Sequence, residues 1–143
     1  MNIEELLQKS SFFEGFSKEE IANIRGLIHV EEFDEKKLIF KENSIGEEMY
    51  FLLHGEVEIF KHATDGSEVA LAKIDKEGDF FGEMSLVDGK PRSASVRTVK
   101  PSAVIVIERK KIFDQLIVHP EIYLRILDRM SFRLRDFDQK YIQ

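Results

Sequence analysis

The chain has no cysteine, no tryptophan, only three prolines and no excess of positive charge: 21 Lys and Arg stand against 27 Asp and Glu, a net charge of −6. Without cysteine there are no disulfides, thiolate metal sites, iron–sulfur clusters or cysteine nucleophiles, which fits a reducing, cytoplasmic setting. The acidic balance argues against nucleic-acid binding by this chain alone, since that requires a basic footprint. An anionic ligand must therefore be met by local positive groups. No apolar stretch approaches the ~20 residues of a membrane span, and the acidic opening Met1-Asn2-Ile3-Glu4-Glu5 is unlike a secretion signal. Catalytic signatures are missing too: there is no Walker loop, no GxGxxG and no Gly-x-Ser-x-Gly. The four histidines, His29, His54, His62 and His119, include no pair spaced two, three or four residues apart, so no metal site is expected. These absences predict a protein that is not an enzyme and carries no cofactor.

What is present is a globular composition, 43% hydrophobic with twelve phenylalanines in 143 residues, enough for one domain over 1–143. Residues 1–29 read as helical: Ile3, Leu6 and Leu7 follow a candidate N-cap at Asn2, and Ser17 and Glu20 form a capping box ahead of Ile21, Ile24, Leu27 and Ile28. Between them Phe12, Phe13 and Phe16 are expected to dock this entry segment onto the body. From Val30 the apolar period becomes two. Short strands are expected over 30–33, 37–41, 49–53, 56–62, 69–74, 93–99 and 103–108, with turns at His54-Gly55, Asp65-Gly66 and Lys100-Pro101 among others. Many short strands at such intervals indicate a sandwich, jelly roll or barrel over 30–108. Ala103 to Ile107 is apolar throughout and is expected to be buried on both faces. Residues 109–143 return to helical spacing, with a last helix starting near Pro120 and carrying Ile122, Ile126, Met130, Leu134, Phe137 and Tyr141.

The stretch Phe80 to Val96, FFGEMSLVDGKPRSASV, concentrates the chemistry. Gly82 permits a backbone conformation or close approach that a Cβ would block, so its N–H and that of Glu83 can point at a bound oxygen. A carboxylate only accepts hydrogen bonds, so Glu83 suits a pair of hydroxyls such as those of a ribose. Met84 to Val87 reads as a short apolar helical turn, ended by Asp88-Gly89-Lys90-Pro91. Arg92 follows nine positions after Glu83, with a planar fork that matches phosphate oxygens. Ser93 and Ser95, separated by Ala94, open an alternating strand. A structural ion pair between Glu83 and Arg92 is the alternative that this spacing leaves open.

At these residues the sequence resembles the phosphate-binding cassette of cyclic nucleotide-binding domains, roughly FGE, two or three small or apolar residues, a turn, then PR, two small residues and Val. The likeness runs over nearly the whole chain. It implies mainly β architecture with flanking helices: a double-stranded β-helix (jelly-roll) barrel between N-terminal helices and a C-terminal helical segment serving as lid or dimer seam. It implies that Glu83 holds the ribose hydroxyl, Arg92 the cyclic phosphate, and the backbone of Gly82, Met84, Ser85, Ser93 and Ala94 the rest of the cradle. Aligning His119-Pro120 with the family's usual helix start places Arg133 where a base-capping residue would sit. The expected function is a non-catalytic sensor for a cyclic mononucleotide, cAMP in preference to cGMP, signalling by movement of the C-terminal helices. Its output would be a homodimer formed through the last helix, an effector protein, or a further domain. The alternative is a family member that has lost its ligand and serves as an interaction or dimerisation domain.

Overall fold

The computed structural model describes residues 2–86, 88–122, 124–126 and 128–129. Six antiparallel strands form the sheet: β1 (Ile28–Phe33), β2 (Leu38–Phe40), β3 (Glu48–His62), β4 (Glu68–Ile74), β5 (Phe80–Phe81) and β6 (Ser95–Glu108). Both long strands change partners along their length. β6 pairs with β1, β2 and β3, while β3 pairs with β4, β5 and β6. The sheet therefore folds back over itself, and the expected jelly-roll barrel with flanking helices is observed.

The period of two divides the apolar residues into two cores. Tyr50, Leu52, Val57, Phe81, Val96, Val104 and Val106 form one cluster, joined by the half-buried Phe33, Ile39, Phe40, Ile59 and Ile74. Their neighbours in sequence, Met49, Phe51, Phe80, Ile105 and Ile107, face the other way and pack beneath the helices. The continuous apolar run from Ala103 to Ile107 is thus explained, since every residue in it is at most 1% exposed.

The helical layer consists of α1 (Ile3–Lys9), a short 3-10 turn at Ser11–Phe13 and α2 (Lys18–Arg25). Asn2 caps α1 by accepting from the Glu5 N–H at 2.8 Å. The Ser17 capping box of α2 is closed from both sides, at 3.1 Å and 3.0 Å. Replacing Ser17 by alanine is expected to lower stability by about 1 kcal/mol, visible as a small drop in melting temperature. Phe12, Phe13 and Phe16 are buried as expected, and Phe13 stacks on Phe51 of the sheet at 5.2 Å between ring centroids.

α3 (Arg109–Leu116) leaves the end of β6 directly. Residues 120–122, 124–126 and 128–129 are helical, and Ile122 and Ile126 complete the core beneath α1 and α2. The basic residues of this segment bind the N-terminal layer. Arg125 donates to the Gly15 carbonyl at 2.6 Å and pairs with Glu20 at 3.2 Å, while Arg129 donates to the Ser11 carbonyl at 2.9 Å and meets Glu14 at 3.3 Å. Met130, Leu134, Phe137 and Tyr141 of the expected stripe lie outside the described residues.

Several strand bounds differ from the sequence reading by a residue or two, and two turns are absent. β1 begins at Ile28 rather than Val30, and neither His54-Gly55 nor Lys100-Pro101 is a turn. β3 and β6 run through both sites, which face each other across the ladder: His54 is in register with Ala103 and Glu56 with Lys100, with register shifts around both pairs. The glycine and the proline mark two facing irregularities of one long strand pair rather than the ends of four short strands.

Candidate functional site

β5 runs antiparallel to Tyr50 and Phe51 of β3 and ends at Phe81, followed by Gly82, whose φ is +74°. This positive φ favours glycine, and a Cβ here would lie 2.8 Å from Arg92 Nη1 and push the guanidinium from its place. Glu83–Leu86 form a 3-10 turn, with the Asp88 N–H donating to the Met84 carbonyl at 3.1 Å. The Asp88 carboxylate then accepts from the Lys90 N–H at 2.8 Å, an Asx turn that brings the chain round to Pro91. The returning arm is fastened to the loop after β2. Arg92 N–H donates to the Ser44 carbonyl at 2.7 Å, Asn43 N–H donates to the Arg92 carbonyl at 2.8 Å, and Pro91 bridges Ile45. Ser93 and Ala94 belong to this arm, and β6 starts at Ser95.

Arg92 is the buried cation of the site, 7% exposed. Its guanidinium donates to the Gly82 carbonyl at 3.1 Å and to the Glu48 carbonyl at 2.7 Å, and it lies 4.0 Å over the Phe40 ring. Burial lowers the pKa of Arg92, against the upward pull of Tyr50, Glu48 and Glu83. Burial likewise pushes the Tyr50 hydroxyl up to about 12. Two backbone carbonyls and an aromatic face hold the guanidinium in place, and a phosphate reaching it from the open side would find charge-assisted donors.

An open cavity of ≈ 610 Å³ lies against it. Gly82, Glu83, Met84, Arg92, Ser93 and Ala94 all line this space, so six of the eight residues singled out from the sequence meet at one site. Ser85 lies in the 3-10 turn, and Arg133 falls outside the described residues. Ser95, grouped with Ser93 in the sequence, serves the fold instead. It is 1% exposed and accepts from the Glu42 N–H at 2.9 Å, holding the loop after β2. Phe40 and Tyr50, which flank Arg92, were missed by sequence reasoning, as were Ile59, Ala72 and Ile74 of the cavity wall. They carry no motif, and the β2–β6, β3–β4 and β3–β5 pairings bring them to the cassette. An aromatic residue in a strand otherwise reads simply as core.

A jelly roll whose cassette holds a buried arginine against a glycine–glutamate turn is what the resemblance to cyclic nucleotide-binding domains implies. Residues 30–119 match the family description "Cyclic nucleotide-binding domain", and the chain belongs to that family. It is 29% identical over 133 residues to the CRP-like cAMP-activated global transcriptional regulator of Mycobacterium tuberculosis, covering 93% of this chain and 59% of that protein. The chain thus spans about three-fifths of that relative's length. Among solved structures, the catabolite activator protein of Thermus thermophilus is 27% identical with a TM-score of 0.79, over 92% of this chain and 61% of that one. The N-terminal domain of a transcriptional regulator from Streptomyces coelicolor A3(2) shares the fold at a TM-score of 0.84 and 24% identity, covering 94% of each chain.

Proposed function

We propose that the cavity binds a cyclic mononucleotide, with its phosphate on Arg92, its ribose hydroxyls on Glu83 and the remaining cradle formed by Gly82, Met84, Ser85, Ser93 and Ala94. The reading rests on one observation above others: a buried guanidinium stands beside a carboxylate-bearing turn on the wall of a single cavity. A cyclic phosphate would form charge-assisted bonds with this planar, largely desolvated guanidinium. The domain does no chemistry on its ligand and acts as a regulatory sensor, taking cAMP in preference to cGMP. Arg133, by its family alignment, caps the base.

The route of signalling runs from the cassette to α3. A first side-chain carbon at position 89 would come within 3.2 Å of Arg109 Cζ, and that guanidinium lies 4.3 Å over the Phe113 ring. The turn that ligand would pull therefore abuts the first residue of the C-terminal helices, a contact that supports a population shift in their position. Output passes to a second copy of the chain or to an effector.

The test is a calorimetric titration with cAMP and with cGMP, after bound nucleotide has been removed by unfolding and refolding. Saturable binding, tighter for cAMP, is expected. Glu83→Ala should weaken it by roughly 1.5–3 kcal/mol, the value of hydrogen bonds to a charged acceptor. The competing reading, an interaction domain whose cavity stays empty, is favoured by the two carbonyl bonds that Arg92 already makes. It predicts no heat and no thermal shift with either nucleotide.

A further inference from the structure

We propose that His29, Glu31 and Glu48 form a binding site for a first-row divalent transition-metal ion of the Zn²⁺ type, at the end of the barrel where β1 and β3 begin. Each residue offers one donor atom, and the three donors all lie within 4.8 Å of one another. His29 Nε2 and Glu31 Oε1 are 3.0 Å apart. Two ligands on one ion, each at about 2.0–2.2 Å, are separated by about 3.0–3.5 Å, so this pair already has the spacing of a chelate edge. The spacing follows from the strand, since residues two apart on β1 face the same way. Glu48, the first residue of β3, approaches with a small adjustment of its long side chain.

The surroundings favour a cation. Glu48 is partly buried and is crowded by the charges of Glu31 and of Glu108, which is in register with it, against the opposing pull of His29 and Arg92. A divalent ion removes that crowding of charge. The His29 and Glu31 side chains are 38% and 43% exposed, so ion and water can reach them. One imidazole nitrogen with two carboxylate oxygens suits Zn²⁺, Co²⁺ or Mn²⁺, whereas Mg²⁺ and Ca²⁺ take all-oxygen sites. Three protein ligands leave room for water on the ion. Histidine spacing in the sequence gives no sign of this group, because its single histidine is completed by carboxylates from two strands. The site stands or falls independently of the nucleotide reading.

The experiment uses the whole chain without an affinity tag, stripped with chelator, then titrated with ZnCl₂ by calorimetry and with CoCl₂ by visible absorption. One strong site is expected, with Co²⁺ bands of a nitrogen- and oxygen-ligated ion and no heat from MgCl₂. His29→Ala and Glu48→Gln should each weaken binding about tenfold or more. Both positions are at the strand start and incompletely buried, and unchanged circular dichroism verifies that the variants fold. His62, which lies 3.2 Å from Glu42 and 3.8 Å from Glu68, provides the control. Its replacement by alanine should leave Zn²⁺ affinity unaltered. Absence of Zn²⁺ and Co²⁺ binding overturns the proposal, and so does binding that survives His29→Ala or is lost with His62→Ala.

Discussion

Arg92→Ala is expected to weaken cyclic nucleotide binding by about 30-fold to several-thousand-fold, corresponding to about 2–5 kcal/mol. The size follows from where the charge sits. Arg92 is 7% exposed, and its neighbours include two neutral carbonyls and the face of Phe40. A phosphate placed there meets a desolvated cation, whose charge-assisted bonds are worth far more than those of a solvated surface arginine. Arg92→Lys should fall between the two proteins, because it keeps the charge but loses the planar fork and the stacking surface over Phe40. The measurement is calorimetric titration of nucleotide-free wild type and both variants with cAMP. Equal affinities for wild type and Arg92→Ala would remove the phosphate from Arg92, and with it the proposed geometry.

How much of this was legible in the sequence depends on whether the signal was local. The cassette was legible because Gly82, Glu83, Pro91 and Arg92 act within a single turn and its return, and their spacing survives in the linear text. The N-terminal caps were legible for the same reason, since Asn2 and Ser17 bind backbone three residues away. Phe40, Tyr50 and the Glu48 carbonyl were not. They reach Arg92 across a separation of more than forty residues, and a backbone carbonyl leaves no trace in a sequence at all. The paired irregularities at Gly55 and Pro101 were misread as turns, because glycine and proline punctuate both hairpins and bent long strands. Deciding between those uses requires knowing what lies opposite, which is a property of the ladder.

The same long strands tie the cassette to the helices. β3 supplies Tyr50 and the Glu48 carbonyl to the site and Met49 and Phe51 to the core under α1 and α2, while β6 delivers the chain straight into α3. Arg109, first residue of α3, is also anchored by its N–H to the Glu47 carbonyl at 2.8 Å, one residue from the carbonyl that Arg92 uses. Arg92 and the start of α3 therefore hold one stretch of backbone, Glu47-Glu48. Under the proposed binding mode, a phosphate on Arg92 would act on the start of α3 through that shared stretch, without crossing the hydrophobic core.

Gly55→Ala is expected to cost about 2–5 kcal/mol of stability and to lower the melting temperature by about 10 °C, with circular dichroism as the readout. Two penalties add. Gly55 has φ +106°, a conformation costing an L residue about 1–2 kcal/mol, and the new Cβ would lie 2.6 Å from the Ser102 Cα. Backbone atoms cannot rotate aside, so β3 and β6 must separate, at about 1–3 kcal/mol of overpacking. The separation also strains the Ser102 hydroxyl, which accepts from the Glu56 N–H at 3.0 Å and donates to the Lys100 carbonyl at 2.7 Å. Ser102→Gly on top of Gly55→Ala should recover only a part, since it removes the side-chain clash and leaves the Cα in place. Gly55 lies outside the cavity wall, so the folded fraction should keep its nucleotide affinity. A melting temperature within about 2 °C of wild type would show that the two strands do not cross this closely.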